Sequence, residues 1–143
     1  MTIKIKRYLL PVILLLIIAA CSVKQPLHKV SAPEITSDDS TKDSTEYELI
    51  VFDTGFETWY LMKNSPALSR SIEYYKSWNR QYVMEWNYKS GSSRYSSFFG
   101  EPINYDPQED YPFEIEHKLF YYFQYVEKEL KIPILEGGPR PMP

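Results

Sequence analysis

Of the 23 aromatic residues in this chain, 22 fall after residue 45, in a stretch of 98 residues that carries every Gly and no Cys. That uneven distribution limits the possible folds. Ninety-eight residues bury one modest core, and without a disulfide that core alone must hold the fold. Large rings bury roughly 150–250 Å² each, so few are needed. A disordered chain is poor in aromatics, and collagen needs far more Gly. The stretch holds 10 basic and 15 acidic residues, and the whole chain carries −3. No bulk basic surface points to nucleic acid.

The N-terminus reads as an address. Lys4, Lys6 and Arg7 precede an apolar run from Tyr8 to Ala20. Thirteen residues span roughly 20 Å as a helix, short of the ~30 Å hydrocarbon core, so a signal segment over 1–20 fits better than a spanning helix. The run closes Ile18-Ala19-Ala20-Cys21, which resembles the bacterial lipobox. The resemblance implies cleavage before Cys21, lipidation of its thiol and acylation of the new N-terminus. Three acyl chains hold a bilayer as one cannot, and the only thiol is then unavailable for catalysis. An ordinary cleaved signal peptide is the alternative. Ser22 follows where Asp would mark inner-membrane retention, and no acidic cluster follows Cys21. By resemblance to bacterial sorting this implies the outer membrane, on its periplasmic face.

Residues 21–45 are polar and lack aromatics, and read as a flexible tether because they bury too little apolar area to offset ordering entropy. His28 is then solvated. The globular domain is expected over 46–136, followed by a disordered tail at 137–143.

Within the domain, Tyr47–Asp53 reads as a strand ending at Thr54-Gly55. Residues 56–62 fit a second strand or one helical turn. Ser65-Pro66 reads as a helix start. Leu68, Ile72, Tyr75, Tyr82 and Trp86 recur at helical spacing, with Asn79 on the same stripe, predicting a helix over 66–89. A strand over 81–88 is the rival; the absence of Gly or Pro before Gly91 favours the helix. Residues 94–112 are loop-rich. Phe113–Lys131 reads as a helix whose stripe is Ile115, Leu119, Tyr122, Val126 and Leu130. Its first turn holds Glu114 and Glu116 and its last Lys128 and Lys131, matching the dipole. Residues 132–135 read as an edge strand. The expected fold is a small α+β domain, two main helices on a short strand or small sheet.

Three strings, Asp53-Thr54-Gly55-Phe56-Glu57-Thr58-Trp59, residues 78–87 (WNRQYVMEWN) and Asp110-Tyr111 with residues 118–123 (KLFYYF), resemble an uncharacterised family of small lipoproteins from the Bacteroidota. The resemblance covers about 46–135 and implies a location without a mechanism.

Asp53, Glu57 and Glu85 are the candidate catalytic carboxylates of a small envelope hydrolase or glycan-active enzyme, if they converge and burial raises one pKa. Asp53-Thr54-Gly55 is equally good turn chemistry, the carboxylate capping backbone donors. Glu85, Trp86 and Asn87, with Asn79 and Arg80, either line a polar pocket or fix the helix against the 94–112 loop. Trp59, Trp78, Trp86, Tyr105 and Tyr111 are candidate binding rings, with Tyr95, Phe98 and Phe99 beside them. They form either a stacking platform or the core. Glu114-x-x-His117 has the spacing of a metal-binding element, but it occurs once and reads as a surface pair, so no metal or cofactor is expected. No Gly-x-Ser-x-Gly and no phosphate loop occurs. The expected role is an envelope lipoprotein, attached to the bilayer through Cys21, that binds another envelope protein.

Overall fold

The computed structural model describes residues 29–38, 46–95 and 97–139. The signal segment, Cys21, His28, residues 39–45 and residues 140–143 lie outside the described residues. In order come β1 (Glu34–Asp38), β2 (Glu46–Ile50), α1 (Thr54–Lys63), a 3-10 turn (Pro66–Leu68), α2 (Ile72–Ser90) and α3 (Phe113–Lys128). The domain is α+β, as the composition and periodicity predict, with a third helix and a two-stranded antiparallel sheet.

Residues 29–38, expected in the tether, are part of the domain. Ile35 pairs with Leu49 and Thr36 with Glu48 in the β1–β2 register. Only one face of such a ribbon needs to be apolar, so Ile35 over a buried Leu49 is enough. Val30 is buried, and its N–H donates to Phe98 O at 2.7 Å. The Tyr122 hydroxyl donates to Ser31 O. A Cβ at position 100 would lie 2.8 Å from Val30 O, so Gly100 is what lets this N-terminal strap approach.

The chain turns at Asp53, and the turn reading holds: its Oδ1 accepts from Gly55 N at 2.8 Å. That bond caps α1, so 56–62 is helical and β2 stops at Ile50, short of the predicted Asp53. Phe56 and Trp59 point inward.

The helix predicted from Pro66 starts later. Ser65 caps only the short 3-10 turn and makes no side-chain bond there. Ser69 is extended, and the true N-cap is Ser71, which accepts from Tyr74 N at 3.3 Å. From there α2 runs unbroken to Ser90, including 81–88. Its inward stripe is Tyr75, Asn79, Tyr82, Val83 and Trp86.

α3 is the core rather than an amphipathic cover. Residues 115–117 and 119–126 are all buried, so the five-residue stripe understates it. α2 and α1 pack on it, and β2 lies against it. Tyr82 stacks on Phe123 at 4.8 Å, and Trp86 meets Phe99 edge-on at 5.0 Å. α3 ends at Lys128, three residues early, because Lys131 takes a left-handed φ of 58°. No edge strand forms at 132–135. Instead Glu127 Oε1 accepts from Ile134 N and Leu135 N at 3.0 and 2.9 Å, and Lys89 Nζ donates to Ile134 O at 2.6 Å. Residues 137–139, expected in the tail, are described too, with Gly138 close against the Tyr82 hydroxyl.

Candidate functional site

The three carboxylates have separate partners. Asp53 caps α1 and accepts from the Tyr125 hydroxyl at 3.1 Å. Glu57 pairs with Lys118 at 2.7 Å, and Glu85 with Lys89 at 3.6 Å along α2. Each has its own partner, and neither cavity described below is lined by any of them. Two-carboxylate chemistry needs both groups at one bond; here Asp53 is the N-cap of α1, Glu57 sits in its first turn and Glu85 lies on α2, each engaged by its own partner.

The candidate binding rings are structural. Trp59, Trp86, Tyr105 and Tyr111 are buried, and Trp78 is half-buried against the core. Trp59 Nε1 donates to Glu129 at 2.9 Å, and Trp86 Nε1 to Glu101 O at 3.1 Å. Tyr105 stacks on Tyr111 at 5.1 Å, inside the fold. A platform needs free ring faces, and the four buried rings have spent theirs on packing. The polar neighbours fix α2 against the 94–112 loop: Asn87 bonds both Ile103 N and Ile103 O, and Arg80 donates to Pro107 O.

Two buried titratable groups on α3 escape the sequence reading. Glu116 is fully buried. Its Oε2 accepts from Asn79 Nδ2 at 2.6 Å, and its Oε1 from the Tyr105 hydroxyl at 3.0 Å. Asn79 Nδ2 also donates to Glu116 O at 2.8 Å, while Asn79 Oδ1 has no partner among the described residues. Burial pushes the Glu116 carboxyl above its ordinary range, against those two hydrogen bonds and the charges of Lys76 and Arg80. Asn79 on an apolar stripe was the one sequence signal of this network.

The second is His117, which is not a surface partner of Glu114 but 3% exposed. It lies between the Phe113 and Tyr121 rings at 5.3 and 4.5 Å, with Tyr75 edge-on at 5.0 Å. Its Nδ1 shares a 2.9 Å hydrogen bond with the Tyr60 hydroxyl. Burial lowers its pKa against the opposing charge of Glu114, so the imidazole is neutral near pH 7. Burial likewise pushes the Tyr60 phenol up to about 12.

His117 lines an open cavity of about 240 Å³. Tyr60 and Asn64 at the end of α1 form one wall, Pro66 and Ser69 of the connecting segment a second, and Phe113 and Glu114 of α3 a third. Glu114 and His117 do share a helical face, but a metal centre needs more donors. Among the described residues no group of three His, Cys, Asp or Glu side chains comes together to hold an ion.

A larger cleft of about 540 Å³ lies at the strap. Lys29 to Glu34 form one side, and Gly100, Glu101, Pro102 and Asn104 the other, with Phe52 at 64% exposure beside them. Its volume is within the range of ligand sites. Among the described residues no helix is long and apolar enough to cross a membrane.

Fold and cavities thus define, among the described residues, a small α+β domain built around one buried helix, with open recesses at the strap and at His117. The chain belongs to DUF6146, a family of unknown function, whose pattern matches residues 8–136. No curated protein and no solved structure matches it.

Proposed function

We propose that this chain is an envelope lipoprotein, acylated on Cys21 and held at the periplasmic face of the outer membrane. Its domain binds another envelope protein rather than catalysing a reaction. The basic start, apolar run and Ile18-Ala19-Ala20-Cys21 motif support the anchor. The observation that carries the binding role is the position of the 540 Å³ cleft. Its first lining residue, Lys29, is eight residues from Cys21. Eight residues reach at most roughly 26–29 Å, so the cleft stays near the bilayer, where a partner in the same membrane meets it. That leash is a third of the 24 residues that an unstructured segment to residue 45 would provide.

Two experiments test this. Cys21→Ala should abolish acyl labelling and release the chain from the membrane fraction; retained labelling overturns the anchor. A photo-crosslinker at Phe52 should capture a reproducible envelope protein in cells, and a blank result with well-folded protein overturns the binding role.

A further inference from the structure

The smaller cavity carries an inference of its own. We infer that the recess between α1 and the start of α3 is a binding site for a small, neutral, hydroxyl-bearing ring, one sugar unit in size. This site lies apart from the cleft of the protein-binding reading and takes a different class of ligand.

Four polar groups line this recess with capacity to spare. The Asn64 amide, the Ser69 hydroxyl and the Glu114 carboxylate make no side-chain hydrogen bond or ion pair among the described residues. His117 has one ring nitrogen engaged by Tyr60, and the other has no partner there. Such a buried side chain normally satisfies both nitrogens. The Tyr60 bond fixes the ring plane, so the other nitrogen is held in place for a ligand.

The ligand's class follows from charge and shape. No Lys or Arg lines the recess, and Glu114 stands in it, so an anion is disfavoured. An organic cation wants a cage of several ring faces. Here Phe113 gives one face to His117 and remains 37% exposed, while Tyr60 is turned edge-on to His117 and Tyr121. One free apolar ring beside a carboxylate, an amide, a hydroxyl and an imidazole suits a ring with C–H groups on one side and hydroxyls around it. The 240 Å³ volume is that of about eight waters, below the roughly 300–1,000 Å³ of drug-sized sites. The recess holds one ring.

The test uses the full acylated chain in micelles of a polyoxyethylene detergent, which offers neither sugar nor ammonium. Glucose, galactose, N-acetylglucosamine and tetramethylammonium are titrated separately while the His117 and Phe113 ring resonances are followed by NMR. At least one sugar should shift both with millimolar affinity. Asn64→Ala and Glu114→Gln, both at solvent-exposed positions, should each weaken that binding about tenfold without changing the fold. Silence from all three sugars overturns the inference. So does sugar binding that both variants leave intact, or tetramethylammonium binding in place of sugar. The two readings fail separately. If the cellular crosslink persists while sugars are silent, the protein-binding role stands and this site does not; sugar binding without any crosslink gives the reverse.

Discussion

Replacing Glu116 separates what its buried carboxylate accepts from what its charge costs. Glu116→Ala removes the acceptor of the Tyr105 hydroxyl, while Asn79 Nδ2 keeps the main-chain oxygen of residue 116. One buried unsatisfied donor costs about 1–3 kcal/mol. Truncating a side chain of this size in a packed interior adds about 2–5 kcal/mol, and losing the desolvated carboxyl returns part of the sum. A net loss of about 3–5 kcal/mol is expected, a large share of the 5–15 kcal/mol typical of a domain. For a domain near 100 residues that lowers Tm by more than about 12 °C. Glu116→Gln keeps the shape: its carbonyl accepts from Asn79, and its amide donates to a reoriented Tyr105 hydroxyl. That variant should stay within about 1 kcal/mol of the natural chain at neutral pH. Urea unfolding followed by circular dichroism reads both. If the Ala variant stays within 1 kcal/mol of the natural chain, or if Gln costs as much as Ala, the network argument is wrong.

The same residue fixes a pH dependence. Burial raises the Glu116 carboxyl in the folded state, so the folded chain holds a proton that the unfolded chain has released. Its contribution is fully present below the ordinary carboxyl value and is lost as pH rises through the raised one. Relative to Glu116→Gln, the natural chain should therefore lose urea resistance on going from acid towards neutral pH. An opposite slope refutes the assignment.

His117 has the opposite sign: its pKa is lowered by burial from an ordinary 6.5, so its contribution is present above that value and is lost as pH falls towards the lowered one. Stability measured through that window should fall less steeply in His117→Phe than in the natural chain. Gly100→Ala should cost about 1–3 kcal/mol by thermal melting, since the new methyl meets Val30 O at 2.8 Å and pushes the strap away. Asp53→Ala should cost about 1 kcal/mol through the lost α1 cap, more if the Tyr125 hydroxyl finds no other acceptor. Trp59 and Trp86 should resist acrylamide quenching in the folded chain, Trp86 most, while half-buried Trp78 is quenched more readily.

The fold was legible wherever a short-range rule acted alone. Asp53-Thr54-Gly55 carries its own cap, and α2 follows from an apolar stripe with no breaker. Two Ser residues competed to start that helix. Ser71 prevails because Arg70 N donates to the Tyr75 hydroxyl at 2.8 Å, fastening the entry to the first turn, and no spacing rule encodes that contact. β1 was hidden for a different reason. Averaged over 22–45, composition is polar, yet a ribbon needs only Ile35 on one face and the strap only Val30 and a Gly100 to receive it. The Gly lies 70 residues away.

The recess at His117 was illegible for the deeper form of the same reason. Glu114-x-x-His117 looks like a surface pair when α3 is taken as one-sided. Once α1 and α2 cover α3 from two sides, the His face is interior, and Tyr60 becomes its partner across 57 residues. Burial of α3 on every side also turns Glu116 from a first-turn charge complementing the helix dipole into a carboxyl that needs Asn79 and Tyr105. Both groups acquire their chemistry from the aromatic packing that surrounds them. A variant that loosens that packing without touching either group, such as Phe120→Ala at the Tyr75 and Tyr82 rings, should therefore weaken both pH effects together. Parallel urea titrations of that variant across pH would show it. If both pH slopes survive a loss of about 3–5 kcal/mol from the core, local contacts rather than burial set the two pKa values.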